Sequence, residues 1–261
     1  AWAGTLTVPG VTGAGVTIAV VDDGLQYTHP DLSTQYISAG SHNYNGGPNA
    51  VTDPMPVAAN GDFHGTAVAG VAAANNDGTS CGVGVAYDAG LSGIRLIAAA
   101  STDAQEAAAL TNTFDINSIY SNSWGPADDG QTLQGPGSLT LAALQSGVTT
   151  GRAGKGSIYV WAAGNGRLNA DNVNYDGYAN SRYAIAVGAV GDDVDQRDHG
   201  SCAEGSSHHG RQSPESLRPR AHDHHAHPVD EERPRVGVCA ENLGAEALAD
   251  VTCGVHPGVA D

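Results

Sequence analysis

Short β-branched apolar runs alternate with small-residue helical stretches along this chain. That alternation limits the possible folds more than any other feature of the sequence. Val16–Val21 is β-branched at five of its six positions and stops at the turn signal Asp22-Asp23-Gly24. His64–Ala74 is rich in Ala, Val and Gly, which suits a helix packed closely on its neighbour. Leu91–Ile97, Ser118–Ser123, Ile158–Ala163 and Tyr183–Val190 predict further strands, the last two buried. Asp103–Leu110 and Ser138–Val148 predict helices. Repeated strand–helix–strand units imply right-handed crossovers and an α/β fold, with a mostly parallel twisted sheet and helices on both faces. In such sheets chemistry collects at the carboxyl ends of strands, so the Asp, Asn and Gly residues just after these strands are the candidates.

Only the first 196 of the 261 residues can supply a core. All three Trp, nine Tyr and two Phe lie there, whereas the last 65 residues have no aromatic, Ile, Met or Lys. Those 65 hold eight of the 11 His and six of the 11 Lys plus Arg. Without large apolar side chains a segment has little to offset ordering entropy. The expected organisation is a domain over residues 1–196 and a disordered His/Arg/Pro-rich tail over 197–261. The formal net charge of −17 excludes non-specific nucleic-acid binding, which needs a basic surface. It suits a secreted soluble protein, or one that handles cationic substrates or metal ions. The best apolar run, Val16–Val21, is far too short to span a bilayer. The four Cys, at 81, 202, 239 and 253, lack metal-ligand spacing. The His222–His227 run could chelate a transition metal, but a plain His-rich stretch accounts for it as well. Ala1, not Met, opens the chain, so a mature form or a fragment is expected.

Three segments carry chemistry: Val20–Leu32, His64–Gly70 and Trp161–Gly166. An Asp at a strand end and a His at a helix start can form an oriented acid–base pair, in which the carboxylate fixes the imidazole tautomer. An Asn at another strand end can donate to a developing oxyanion. Each signal alone is weak, since Asp-Gly is usually a turn and a helix-opening His usually a cap. Asp22, His64 and Asn165 together, in that order and at the carboxyl-end side of a parallel sheet, make a catalytic constellation.

At these residues the chain resembles the subtilisin-like serine proteases, and most closely the kexin and proprotein-convertase branch. The resemblance runs from about Gly10 to Arg197. It is carried by Asp22-Asp23-Gly24, Cys81–Tyr87, Tyr120–Gly130 and Asn174–Ser181. It implies that Asp22 orients, His64 is the general base and Asn165 is the oxyanion donor. It also implies a secreted, monomeric, calcium-dependent endopeptidase whose full-length form carries a propeptide.

The resemblance further implies calcium sites and acidic specificity pockets. Hard cations need clustered oxygens. One site would use Asp31 with Asn76 or Asp77 from the loop Asn75–Cys81. A second would use Asp128 and Asp171. A third is eroded, keeping only Asn45 and Asp53, with Met55 where an acid is needed. The pocket for the residue before the cut would use Asp128 and Asp176, and Trp124 and Gly125 would also bind substrate. The next pocket would use Asp23 and Asp62. Ala100 and Gln134 replace acids further out, so cleavage after Lys-Arg or Arg-Arg is expected, with little demand upstream.

The nucleophile is missing. The family's Gly-Thr-Ser-x-Ala-x-Pro does not occur; the one Gly-Thr-Ser is Gly78-Thr79-Ser80, followed by Cys81. Ser201, Ser206, Ser207, Ser213 and Ser216 lack the apolar run that would open a helix. A shifted reading frame beginning near Arg197 would explain the coincident loss of resemblance and aromatics. Two functions therefore compete: a serine endopeptidase that is inactive as written, and a non-catalytic protein that binds basic peptides. A nucleotide-binding reading fails, because no phosphate-cradling Gly run follows the first strand. By the resemblance, the absent Ser helix would be central, and without it the sheet would lack part of its cover.

Overall fold

Side chains alternate along β1, Thr17–Asp22, and this alternation sets up three layers. Ala19 and Val21 belong to one core, Val20 and the flanking Ile18 to the other. The computed structural model describes residues 11–46, 51–78 and 82–189. The tail over 197–261, with its Ser residues and the His222–His227 run, lies outside the described residues, as does Cys81.

Six strands form one sheet in the order β2-β3-β1-β4-β5-β6, with every neighbouring pair parallel. After β1 come β2 (His42–Asn43), α1 (His64–Ala73), β3 (Gly90–Arg95), α2 (Asp103–Leu110), β4 (Ile119–Asn122), α3 (Ser138–Gly154), β5 (Ile158–Ala162) and β6 (Ala184–Val187). The predicted strands and helices are all present, within a few residues at their ends. β2 has only two residues and leaves no periodic signal. The helix expected to end at Val148 is assigned through Gly154. Its regular course stops at Gly151 (ψ 159°), followed by Arg152 and Ala153 at φ 53° and 57°. The strand expected to be buried near residue 185 is the exposed edge: Ile185 is 56% accessible, because β6 has no further neighbour among the described residues.

One face carries the aromatic core. Tyr120, Tyr159 and Trp161 are buried against Leu110 of α2 and Leu144 of α3. Each such aromatic is worth about 4 kcal/mol by area, an upper figure because an unfolded chain already hides part of it. The Tyr159 hydroxyl donates to the Leu110 carbonyl at 2.7 Å, so burial strands no polar group there. On the other face α1 presents Val68, Ala69 and Ala73 to Val20, Leu25 and Leu91. Its small side chains let it lie close over β1 and β3. Over β4 to β6 this face carries no helix among the described residues. A groove of about 320 Å³ remains, lined by Ile18, Val68, Val71, Ile119, Val160 and Val187 among others.

Candidate active site

β1 delivers Asp22 and Asp23 at its carboxyl end, and α1 begins at His64 directly beside them. The approach requires a glycine after the histidine: a Cβ on Gly65 would collide with the Gly24 carbonyl and stand 2.7 Å from Asp22 Cβ. His64 Nδ1 lies 3.0 Å from each carboxylate oxygen of Asp22. Asp22 is fully buried, and its Oδ1 also accepts the Asp23 amide at 2.7 Å. Burial pushes the Asp22 carboxyl up; the His64 contact and the Asp23 amide pull it back only in part. The pair is thus an oriented imidazole–carboxylate, the arrangement that holds one tautomer and stabilises an imidazolium.

Because β1, β4 and β5 are parallel, with Val21 opposite Asn122 and Asn122 opposite Trp161, their following loops emerge at the same end. Trp124 leaves β4 and packs edge-on against Trp161 and Tyr178, at centroid distances of 4.7 and 5.2 Å. Trp161 Nε1 donates to the Trp124 carbonyl at 2.6 Å. Asn165 follows β5; its amide donates to Asp128 Oδ2 at 3.0 Å, and its Oδ1 is buried without a hydrogen-bond partner.

Asp128, Asp171 and Asp176 line a cavity of about 10 Å³, roughly the room for one water or one ion. Gly125 passes over it so closely that a Cβ there would sit 2.7 Å from Asp176 Oδ2. Burial pushes the Asp176 carboxyl up; the amides of Ala179 and Tyr178 oppose this, and the charges of Asp128 and Asp171 add to it.

The other predicted residues are placed differently. Both oxygens of Asp23 are engaged by backbone amides of Phe63, His64 and Gly65, at 2.8 to 2.9 Å. Asp62 Oδ2 accepts Arg95 Nη2 at 2.8 Å and the Val57 amide at 3.0 Å. The sequence signals Arg95 only as a cation ending an apolar strand, 33 residues from Asp62. Asn45 ties loops together, donating to the Leu96 carbonyl and accepting the Ala98 amide. Asp53 accepts the Met55 amide at 3.0 Å.

The fit to calcium is uneven. At the first site Asp31 is buried and its Oδ1 has no hydrogen-bond partner, as a carboxylate awaiting a hard cation would be. The residue beside it is Asn75, whose amide donates to the Asp31 carbonyl at 2.9 Å. Asn76 and Asp77 are exposed. Among the described residues no group of three or more His, Cys, Asp or Glu side chains is arranged to hold a metal, so carbonyls would have to complete either sphere.

A subtilase-family profile matches residues 13–228. The chain belongs to the subtilase family. It is 49% identical over 198 residues to kexin of Saccharomyces cerevisiae, covering 76% of this chain and 23% of that protein. It is 49% identical over 182 residues to a dibasic-processing endoprotease of Schizosaccharomyces pombe, covering 69% of this chain and 25% of that protein. The chain thus spans about a quarter of these relatives. The crystal structure of Aeromonas sobria serine protease with its chaperone superposes at a TM-score of 0.56. That match has 27% identity and covers 69% of this chain and 33% of the other. No helix of the described residues is long and apolar enough to cross a membrane.

Proposed function

We propose that this chain is part of the catalytic domain of a secreted, calcium-dependent serine endopeptidase that cuts after paired basic residues. The observation that carries the reading is the Asp22–His64 pair, 3.0 Å apart at the carboxyl end of β1. In a domain that carries the nucleophile, Asp22 would orient, His64 would take the proton from it, and Asn165 would donate to the oxyanion. The Lys or Arg before the cut pairs with Asp128 and Asp176, flanked by Trp124 and Gly125, which requires their loops to open beyond the cavity of about 10 Å³ seen here. Burial and the charges of Asp128 and Asp171 disfavour the ionised Asp176 carboxylate, a cost that a cationic side chain would relieve. Calcium, when bound, supplies fixed positive charge: Asp31 would hold one ion with the loop after Asn75, Asp128 and Asp171 a second. The domain acts as a monomer.

As written, this chain has no Gly-Thr-Ser-x-Ala-x-Pro, so turnover of peptides is not expected. The Asp128 and Asp176 carboxylates favour the second reading for the chain itself, binding of basic peptides without cleavage. Fluorescence anisotropy with labelled peptides ending in Lys-Arg and in Leu-Leu, alongside product analysis, tests both. The expected result is preferential binding of Lys-Arg without products. Equal affinity for the two peptides would overturn the specificity, and product formation would overturn the missing nucleophile.

A further inference from the structure

α1 has no cap of its own. Phe63 stands at the N-cap position with no side-chain acceptor, so the first amides of the helix must find partners elsewhere. Asp23, 40 residues earlier in the chain, provides them: Oδ2 accepts Phe63 and His64, and Oδ1 accepts Gly65. Its neighbour Asp22 holds the imidazole of the same histidine, and the Asp23 amide in turn holds Asp22 Oδ1. Two consecutive residues at one strand end therefore grip His64 twice, one by its ring and one by its backbone.

We propose that Asp23 is a positioning residue for His64, fixing the first turn of α1 so that the imidazole meets Asp22 squarely. A carboxylate offers about four acceptor sites. Three are used by α1, and the residue is only 9% exposed. The negative charge also sits where the helix dipole favours it, at the amino end. A slack helix start would swing the ring away from Asp22, because His64 is the first residue of α1. The inference rests on His64 as the base of the proposed function, but its test needs no peptidase activity.

The test compares the full chain with Asp23→Asn and Asp23→Glu. The first keeps the shape and loses the charge; the second keeps the charge and displaces it. The readout is the low-field proton resonance of His64 Nδ1–H bound to Asp22, assigned by its absence in His64→Gln. Both variants are expected to lose this resonance while remaining folded. Amide exchange at His64 and Gly65 should rise about tenfold, the equivalent of one charge-assisted hydrogen bond. Retention of the resonance in both variants, with only a lower melting temperature, would make Asp23 a plain helix cap and overturn the proposal. A wild-type resonance in Asp23→Glu would reduce its role to charge and overturn it too. If Asp23→Asn does not fold, the Asp23→Glu comparison decides alone. A wild-type chain with no low-field resonance would remove the Asp22–His64 pair itself, failing the proposed function before any variant is compared.

Discussion

Asp62 and Arg95 meet at 2.8 Å with side chains only 6% and 5% exposed. Removing charges this far from water is expensive, and a pair so placed adds little net stability compared with an apolar filling. Removing one partner is a different matter, because the other charge is left buried and alone. Asp62→Ala is therefore expected to destabilise the chain by ~3–5 kcal/mol, read as a shift in the urea midpoint. The reading from resemblance gave Asp62 to a substrate pocket; in that case the midpoint would stay and only basic-peptide affinity would fall. The difference illustrates what a sequence withholds at this scale. The charge of Asp62 and its place two residues before His64 are written in the chain. Its partner lies on β3, and only the folded sheet brings the two together.

Helix ends show the same division. The α2 start is legible locally: Thr102 accepts the Gln105 amide, and Gln105 reaches back to the Thr102 amide, a pattern within four consecutive residues. The α3 start is not, since its N-cap is Gly137, with no side chain to offer. The acceptor is Asp103, which opens α2 and takes the amides of Leu139 and Thr140 at 3.0 and 2.8 Å. One carboxylate thus fastens two helices. Those amides, with the Thr140 hydroxyl, hold the Asp103 carboxyl below the usual carboxylate range. An acid depressed in the folded state contributes stability above its unfolded value of 3.8, and that contribution is lost as the pH falls through the depressed value. Asp22 and Asp176, raised by burial, act with the opposite sign: their contribution is full below 3.8 and is lost as the pH rises through their folded values. Asp103→Asn should therefore melt lower than the parent at neutral pH, and the two melting curves should converge below pH 3.8. Curves that stay equally separated at acid pH would mean that Asp103 acts through shape rather than charge.

The strand–helix alternation was legible over the whole body because period-2 and Ala-rich patterns belong to each segment separately. The order β2-β3-β1-β4-β5-β6 was not, since crossovers decide which strands become neighbours. Nor could the sequence say which half of a face stays bare. α1 covers β1 and β3, while the groove over β4 to β6 leaves Ile119, Val160 and Val187 without a helical partner among the described residues. Asn122 lines the same groove and keeps a buried Oδ1 without a hydrogen bond, so the surface is both apolar and polar-hungry. Such a groove recruits apolar dyes. The full chain should therefore enhance the fluorescence of anilinonaphthalene sulfonate in native buffer, well below any unfolding transition. Val85 stands at the rim, 49% exposed, so Val85→Glu puts a charge at the mouth without emptying the core. Dye enhancement should fall in that variant while stability changes by less than ~0.5 kcal/mol. A full chain that binds no dye would mean that residues beyond Ala189 cover the groove. Dye binding insensitive to Val85→Glu would place the apolar surface elsewhere.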